Sequence, residues 1–406
     1  MGSSPRRGKG QIPKRLLVLG AGPAQLGLLR AARRRGLFVI ACDRDPEAPG
    51  FIFADRRAIV SAEDEPAIAK LANAERVDGI IAPGIDWPVA IAARVAAARG
   101  LRHPLSPETA GLAVSKQRQR ARLEEAAIPQ PRWEVVVPAS GNIGAPCVVK
   151  AADRQGQRGL TLVRDSPDLA EAVALAVSES RAGLALVEEL VEGPEVTVNA
   201  FSLDGEFQPL TVTDRLTGPP PAFGVALAHA WPSGEDVRAA IDVARRAVEA
   251  LGIEEGPSYT QVVLGPDGPR VMEVAARLGG GHDAELCNVA LGIDLNELAI
   301  AGALGEPLDL PRPEPTSGAC VRFLVPPEGV LLEVSGVDAA REVDGVVDAG
   351  VYRAPGYRFG PFHRGSDRAG FVLARGDSRD DALARAAAGA ECIRFVTADV
   401  EARVEA

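Results

Sequence analysis

The sequence predicts a multidomain protein of mixed α/β and α+β class, built from three successive folded units. Three observations predict it: the length of 406 residues, an alternation of apolar strand runs with helical patterns over residues 16–104, and a proline-rich stretch at 308–318. A chain of this length exceeds what one hydrophobic core usually holds. The chain therefore divides into a flexible tail at 1–15, an N-terminal Rossmann-like domain at 16–107 and a central domain at 108–307. A linker at 308–318 leads to a small α+β C-terminal domain at 319–406.

Composition and charge exclude several classes of protein. Hydrophobic residues make up 46% of the chain and charged residues 25%, which are ordinary values for a globular protein. The net charge of −10 argues against nucleic acid as a partner. No apolar run is long enough to span a membrane. The basic N-terminal tail lacks the apolar segment of a secretory signal, and the five cysteines form no CxxC pair, so we expect a cytoplasmic protein with reduced thiols.

The N-terminal unit reads as a parallel, doubly wound sheet. Apolar strands are predicted at 16–20, 38–43 and 79–84, and a helix through residue 35 follows the first strand. Short connections between strands and helices favour parallel strands with helices on both faces.

A glycine turn joins the first strand to its helix. Residues 20–27 read GAGPAQLG, and Asp43 ends the second strand. The pattern resembles a dinucleotide-binding fingerprint, but its spacing is GxGxxxxG and Pro23 fills the turn. We therefore favour a structural or substrate-binding turn and expect no NAD there.

The rest of the chain alternates strands and helices of a different kind. A charged helix is expected first, then a small β-rich unit, a larger mixed unit and a C-terminal unit with a final helix. The expected helices lie at 108–127, 166–181, 235–251 and 378–390, and the expected strands include 147–152, 195–203, 208–213, 259–264 and 270–275.

Two lysines are candidates for binding phosphate. Lys150 ends a strand of valines and alanines just before a polar loop, residues 153–159, that contains Gly156 and Gly159. A lysine there can reach phosphate oxygens while the loop amides close over them. Lys116, on the charged helix, would reach in from the opposite side. The alternative interpretation is that Lys116 has a solvated side chain and that residues 153–159 form an ordinary surface loop.

An acidic hairpin at 187–199 is a candidate nucleotide site. The extended backbone around Glu188, Glu189 and Val191 can present an N–H and a C=O to an adenine edge. Glu195, just beyond the Gly-Pro turn, can accept hydrogen bonds from ribose hydroxyls. A hairpin with no ligand is the alternative interpretation.

A third candidate set lies in the string VMEVAARLGGGHD. Glu273 stands mid-strand, where a carboxylate needs a partner, and Mg²⁺ bridging phosphates is a natural one. Arg277 can hold a carboxylate or phosphate in its fork, and Gly279, Gly280 and Gly281 allow close approach of backbone amides. A structural Glu–Arg pair capping a glycine turn is the alternative.

Two other groups of polar residues carry less signal. His282, Asp283, Glu285 and Cys287 fit no tetrahedral zinc spacing, so we interpret them as the start of a helix. Asp86 is interpreted as a helix N-cap rather than as a substrate contact.

Taken in order, these segments resemble the ATP-grasp superfamily of carboxylate–amine ligases, and the resemblance covers the chain after residue 15. The matching segments are LGAGPAQLGLLRAARRRG, SKQRQRARLEEAAIPQP, the strand and loop after Lys150, VEELVEGPEVTV and EVAARLGGG. Within the superfamily the chain looks most like the L-amino acid ligases, because of GVALAHAWPS at 224–233 and RFLVPPEGVLLEVSG.

The resemblance implies an ATP-grasp central domain that uses ATP and Mg²⁺, with Mn²⁺ as a substitute. It implies amide bond formation between a small carboxylate and an amine through an acyl phosphate, with release of ADP and phosphate. The resemblance also implies that Lys150 and Arg277 are catalytic, and that Arg277 and the backbone amides of residues 279–281 hold the oxyanion. His229 contacts substrate, and a homodimer is possible.

Two departures from the family pattern bear on activity. Gln261 stands where the family places an acid, and Ala275 stands where it usually has Asn, so only Glu273 of the usual three metal ligands is intact. A weaker metal site, with Gln261 as a neutral donor, and a lost activity both remain open. The alternatives are an ATP-binding regulator and a purine-pathway enzyme that joins formate or bicarbonate to a ribonucleotide. The second needs a further basic cluster near the cleft, and the sequence offers no convincing one.

Overall fold

The structure is a computed structural model, and it describes residues 12–136, 142–154, 156–218 and 222–398. Residues 1–11 of the predicted tail lie outside the described residues. The N-terminal unit is a parallel four-stranded sheet of order β3-β2-β1-β4. Its elements are β1 Arg15–Leu19, α1 Leu26–Arg34, β2 Phe38–Asp43, β3 Arg56–Ile59, α2 Glu65–Glu75, β4 Gly79–Ile81 and α3 Trp87–Ala98. The predicted parallel, doubly wound class is confirmed.

The charged helix expected at 108–127 is two helices, α4 Pro107–Ala113 and α5 Lys116–Glu125. The prediction of one helix was wrong because a second N-cap interrupts it. The hydroxyl of Ser106 accepts from the amide of Thr109, and the hydroxyl of Ser115 accepts from the amide of Arg118. A serine cap satisfies amides that have no partner inside the helix, so each serine begins a helix of its own. The second cap starts α5 at Lys116.

The next unit is a small antiparallel lobe of four strands in the order β5-β8-β6-β7. Apolar side chains of α6 and of the inner strands, including Val149, Ala176 and Val187, form a separate small core. We call this unit the small lobe. Its elements are β5 Trp133–Val136, β6 Cys147–Ala151, β7 Thr161–Val163, α6 Leu169–Glu179 and β8 Ala185–Glu189.

A second sheet has eight strands in the order β13-β12-β9-β10-β11-β14-β18-β16. We call the unit built on it the large lobe. Its elements to residue 303 are β9 Glu195–Leu203, β10 Glu206–Thr217, β11 Ala226–Trp231, α7 Arg238–Ala250, β12 Gly256–Gly265, β13 Gly268–Ala275, α8 Asp283–Leu291 and α9 Leu295–Ala303.

The large-lobe sheet continues into the residues expected to form a separate C-terminal unit. Strand β11 pairs with β14, and β14 pairs in turn with β18. A three-stranded sheet of order β17-β15-β19 lies beside this extension. The elements are β14 Gly318–Leu324, β15 Gly329–Ser335, α10 Val337–Glu342, β16 Val346–Val351, β17 Arg358–Phe359, β18 Gly370–Gly376, α11 Arg379–Cys392 and β19 Arg394–Ala398. Side chains at the start of β18 can therefore lie next to the central domain.

The large hydrophobic cores join the N-terminal unit to the large lobe. One contains Leu17, Ile80 and Val274, and the other contains Leu29, Leu286 and Ile300. All five cysteines are free thiols. No single described helix is both long and apolar enough to cross a membrane. Helices α8 and α9 taken together have the length and apolar composition of a membrane span, by those two criteria only, and a bend of 119° separates them.

Candidate functional site

A buried ion-pair triad lies where the small lobe meets α5. The Nζ of Lys150 lies 2.6 Å from one carboxylate oxygen of Glu188, and the Nε of Arg120 lies 2.8 Å from the other. Glu188 is only 1% exposed. Burial raises the pKa of its carboxyl, but the charges of Arg120 and Lys150 outweigh burial and lower that pKa to about 2. The triad fixes the ammonium of Lys150, near the end of β6, at the junction of the small lobe with α5.

Replacement of Glu188 by Gln is expected to destabilise the fold by about 3–5 kcal/mol, because it leaves the buried Arg120 without an acid. The carboxyl has a folded pKa of about 2 against an ordinary value of 4.5. Its contribution to stability is therefore complete above pH 4.5 and is lost as the pH falls toward 2. Urea unfolding as a function of pH should show a smaller loss of stability in this window for the variant. Glu189→Gln, which breaks a pair with the exposed Arg132, is the matched control and should cost less than about 1 kcal/mol.

Lys116, at the first turn of α5, pairs with Glu273 of β13, the strand against which α5 packs. The Nζ of Lys116 lies 3.1 Å from Glu273 and also donates, at 2.6 Å, to the carbonyl of Arg154 in the glycine loop. Burial raises the pKa of Glu273, but Lys116 and then Lys150 outweigh it and lower the pKa to about 2. The alternative of a solvated Lys116 is wrong, since its side chain is 19% exposed and ion-paired. Lys116, Lys150 and Glu273 thus converge on one cleft under the loop that holds Gly156 and Gly159.

Gln261 lies directly beside Glu273 in the paired strands β12 and β13. Its amide nitrogen donates to the hydroxyl of Tyr259 at 3.2 Å, which leaves the amide oxygen as the remaining donor atom for a cation. Mg²⁺ is commonly held by one or two protein carboxylates together with phosphates and water. Glu273 and Gln261 fit the lower end of this range, because together they offer one carboxylate and one amide oxygen. No group of three or more His, Cys, Asp or Glu able to hold a metal occurs among the described residues.

The acidic hairpin forms the link between the lobes. The amide of Glu189 donates to the carbonyl of Arg132, whereas in the described part of the chain no backbone partner is recorded for the amide of Val191. Gly193 has a φ of +155°, and a Cβ there would lie 2.1 Å from the carbonyl oxygen of Leu264. Only glycine fits this approach, so the hairpin is pressed against β12. A groove of about 790 Å³ elsewhere on the surface is lined by none of the predicted site residues.

Glu195, the predicted ribose carboxylate, opens β9 and pairs with Arg215 of β10 at 3.1 Å. The same guanidinium donates to the hydroxyl of Tyr259 at 2.6 Å and to the carbonyl of Gly224 at 2.9 Å. Through Tyr259 and Gln261 this network reaches Glu273. Glu195 is therefore linked by side-chain hydrogen bonds to Gln261, the residue that faces Glu273 on the paired strand.

Arg277 follows β13 and reaches the N-terminal unit. Its Nε lies 2.6 Å from Asp86, and its guanidinium carbon lies 5.7 Å from the centre of the Tyr259 ring. Asp86 is at the N-cap position of α3, but its side chain makes no capping bond there. The interpretation of Asp86 as a capping side chain was wrong, because its carboxylate is engaged by Arg277. Capping and ion pairing compete for the same oxygens, and here the buried guanidinium takes them.

The triple glycine packs between the N-terminal unit and the large lobe. A Cβ at Gly280 would lie 2.9 Å from the carbonyl of Gly84 in the N-terminal unit. The amide of Gly281 donates to Asp283 at 3.0 Å, so it is not a free oxyanion donor in this arrangement. Among the described residues, no backbone partner is recorded for the amides of Gly279 and Gly280. These two amides remain as candidate donors beside Arg277.

His229 lies on β11 against the end of the triple glycine. A Cβ at Gly281 would be 3.0 Å from its Nε2. The side chain is 2% exposed, and its Nδ1 has no hydrogen-bond partner. Burial lowers its pKa to about 4, so the ring is neutral at pH 7.

The structure also brings together residues that sequence reasoning missed. Arg215 of β10 donates to the carbonyl of Gly224, and Arg368 beside β18 donates to the carbonyl of Ala226, so two guanidinium groups meet the same short segment at the start of β11. The sequence did not predict this pair of arginines, of which Arg215 is already ion-paired with Glu195. Arg368 is 142 residues from Ala226, whose carbonyl it binds, so no local spacing could have indicated this contact. The sequence signal that could have indicated Arg368 is its position just before the apolar strand β18.

Two family models match parts of the chain. Residues 113–200 match the ATP-binding domain of the carbamoyl-phosphate synthase L chain. Residues 322–398 match the C-terminal domain 2 of L-amino acid ligase. The first match spans α5, the small lobe and most of β9, and the second runs from within β14 to β19, across the end of the large-lobe sheet and the three-stranded sheet beside it.

Several whole proteins are similar to this chain. The uncharacterized protein y4rH of Sinorhizobium fredii is 31% identical over 292 residues, which is 68% of this chain and 59% of that protein's length. The formate-dependent phosphoribosylglycinamide formyltransferase of Burkholderia cenocepacia is 27% identical over 95% of this chain and 96% of its own. The crystal structure of L-amino acid ligase from Bacillus licheniformis aligns with a TM-score of 0.80 at 21% identity, over 96% of this chain and 100% of that one.

Proposed function

This chain belongs to the ATP-grasp superfamily, and from that premise we propose that it is an ATP-dependent carboxylate–amine ligase. It forms an amide bond between amino-acid-like substrates through an acyl phosphate. The observation that carries the proposal is the convergence of Lys116, Lys150 and Glu273 on one cleft, with Arg277 beside it. Cations placed around a carboxylate suit phosphoryl transfer, in which negative charge is held by fixed groups.

In the first step a substrate carboxylate oxygen attacks the γ-phosphorus of ATP. A bond forms between that oxygen and phosphorus, and the bond from phosphorus to the ADP oxygen breaks. Lys116 of α5 and Lys150 of the small lobe, both close to Glu273, stabilise the charge on the transferring group. The loop held by the contact of Lys116 with the Arg154 carbonyl closes over the phosphates and excludes water.

In the second step the amine nitrogen of the other substrate attacks the acyl carbon. The carbon–nitrogen bond forms, the bond from carbon to the phosphate oxygen breaks, and the departing phosphate accepts the proton that the amine loses. Arg277 and the amides of Gly279 and Gly280 hold the developing oxyanion. No nucleophile from the protein is needed.

Nucleotide binding follows the same geometry. The backbone at Val191, beyond the end of β8, presents the adenine contacts, and Glu195 accepts from the ribose. Glu273 and Gln261 would hold Mg²⁺, which when bound neutralises phosphate charge. The single protein carboxylate means that the nucleotide supplies much of that coordination.

ADP release should require both substrates. We expect the full-length protein to release ADP and inorganic phosphate only when a carboxylate and an amine are supplied together with ATP and Mg²⁺. A coupled ADP assay across pairs of amino acids tests this. Release of AMP and pyrophosphate would contradict the acyl-phosphate route. If ATP raises the melting temperature but no pair accelerates ADP release, the ATP-binding regulator is the better account.

A purine-pathway reaction is the second candidate function. Arg215 and Arg368, which bond to the carbonyls of Gly224 and Ala226, are candidates for the basic cluster that such a reaction needs, and a formyltransferase of that pathway is 27% identical over 95% of this chain. The same assay with formate or bicarbonate and a ribonucleotide amine separates the two functions.

A further inference from the structure

Arg181, in the turn between α6 and β8, is joined to the start of the glycine loop. Its Nη1 donates to the carbonyl of Asp153, the first residue of that loop, at 3.0 Å. The carboxylate of Asp153 accepts in turn from the backbone amides of Arg181 and Ala182, at 3.0 and 2.9 Å. Because these bonds hold the two segments together, a movement of the glycine loop carries the guanidinium of Arg181 with it.

The same guanidinium reaches out of the small lobe and contacts the N-terminal unit. Its Nη2 donates to the carboxylate of Glu63, in the connection between β3 and α2. Its central carbon lies 4.2 Å from the centre of the ring of Trp87, the first residue of α3. A cation above an indole face is attracted to the ring. Arg181 therefore links the glycine loop to two residues of the N-terminal unit.

This link joins two units that have separate cores. Among the described residues, the small lobe has an apolar core of its own, whereas the two large cores join the N-terminal unit to the large lobe. The side chains of Arg181 and Glu63 are 24% and 38% exposed. An ion pair with that exposure adds little to the stability of a fold. Its larger effect is on the position of the small lobe relative to the N-terminal unit.

Trp87 stands next to the residue that holds the arginine of the proposed second step. The carboxylate of Asp86 accepts from the Nε of Arg277 at 2.6 Å. Asp86 is at the N-cap position of α3 and Trp87 is the first residue of the helix, so both side chains leave the same helix end. A shift of Trp87 therefore also shifts the carboxylate that holds Arg277.

We propose that Arg181 is a positioning residue, which couples closure of the glycine loop over bound nucleotide to the placement of Arg277. Nucleotide phosphates hold the glycine loop, the loop holds Arg181 through Asp153, and Arg181 holds the end of α3 through Trp87. This inference rests on the proposed function and deepens it, because it links the nucleotide site to the site that holds the oxyanion. Arg181 itself contacts no reacting group.

The fluorescence of Trp87 tests the first link without turnover. The full-length protein has three tryptophans, and the replacements Trp133→Phe and Trp231→Phe leave Trp87 as the only one. We expect a non-hydrolysable ATP analogue with Mg²⁺ to change the emission of Trp87, because binding fixes the guanidinium above the indole. Arg181→Gln should abolish that change, and Arg181→Lys should keep part of it, since an ammonium also interacts with the ring.

Kinetics of the protein with all its tryptophans test the same link independently. Arg181→Gln should lower kcat/KM for ATP roughly 3- to 30-fold, the size expected for loss of an exposed ion pair together with a cation–π contact. Arg181→Lys should recover part of that loss. Arg164→Gln is the matched control, because it removes an exposed arginine of the same lobe that makes no recorded bond in the described part of the chain. This control should keep wild-type kinetics, and the nucleotide-free melting temperatures of Arg181→Gln and Arg164→Gln should agree.

A double-mutant cycle tests the link to Arg277. If Arg181 acts through Asp86, the loss of kcat/KM caused by Arg181→Gln should be smaller in the Asp86→Asn protein than in the wild type. Losses that simply multiply would show that the two residues act independently and would overturn the link.

The remaining outcomes separate this proposal from the proposed function. The proposal is overturned if nucleotide leaves the emission of Trp87 unchanged, if Arg181→Gln keeps the wild-type response, or if its kinetics equal those of Arg164→Gln. If the coupled ADP assay finds no substrate pair while the Trp87 response depends on Arg181, the ligase function fails and the coupling of nucleotide to α3 stands. If turnover occurs and Arg181→Gln turns over like the wild type, the positioning role fails and the ligase function stands.

Discussion

Replacement of Arg277 by Ala should lower turnover by roughly 10²–10³-fold while ATP still binds. In the proposed second step the guanidinium holds the oxyanion, a charge that exists only after the amine attacks, so the loss falls on kcat. Nucleotide contacts are assigned to Lys116, Lys150 and the hairpin, none of which bonds to Arg277. ADP release under saturating substrates measures the first effect, and nucleotide titration by calorimetry measures the second.

Two controls separate this role from a structural one. Asp86→Asn removes the ionic partner of Arg277 but keeps the guanidinium, so a purely structural pair would make both variants equally inactive. Arg270→Ala, on β13, removes a guanidinium that donates to the carbonyl of Gln130 at 3.3 Å and has no bond to Asp86 among the described residues, and it should retain near wild-type turnover. Equal losses of turnover in Arg277→Ala and Asp86→Asn would contradict the oxyanion role.

The parts of the site that the sequence could predict carry local signals. Lys150 and Glu273 each interrupt an apolar strand with a charge, and the triple glycine follows directly. Such positions are informative because burying an unpaired charge is costly, so the residue must have a partner. The structure supplies those partners as Glu188 for Lys150 and Lys116 for Glu273.

The parts that could not be predicted depend on pairing between distant segments. The continuation of the large-lobe sheet from β11 into β14 and β18 brings Arg368 beside Arg215. Strand order in an antiparallel sheet is not encoded by the periodicity of any one strand. For the same reason, the apolar pattern after the proline-rich segment reads as a separate unit, although its strands extend an existing sheet.

The helix prediction failed for a different physical reason. Ser115 is an ordinary polar residue within a helical pattern, and only its bond to the amide of Arg118 makes it a cap. Serine hydroxyls compete with the helix backbone in this way, so a serine in a helical pattern can begin a new helix. The break matters for the site, because it places Lys116 at the first turn of α5.

Replacement of Glu273 by Gln should lower turnover by at least about 10²-fold and weaken its dependence on Mg²⁺. Glu273 is the only carboxylate of the proposed pair with Gln261, and its pKa of about 2 keeps it ionised at neutral pH. The variant also releases Lys116 from its ion pair. Metal-free ATP should therefore bind at least as tightly as to the wild type, because one negative charge near the phosphates is gone.

The two measurements are ADP release at increasing Mg²⁺ and ATP titration in EDTA. Asp267→Asn, in the exposed turn between β12 and β13, removes an equal charge away from the cleft. This control should change neither the Mg²⁺ dependence of ADP release nor ATP binding in EDTA. If Glu273 were only a structural partner of Lys116, the variant would lose stability and metal-free ATP affinity together. A parallel fall in melting temperature and in ATP binding in EDTA, with unchanged Mg²⁺ dependence, would therefore assign Glu273 to the fold rather than to the reaction.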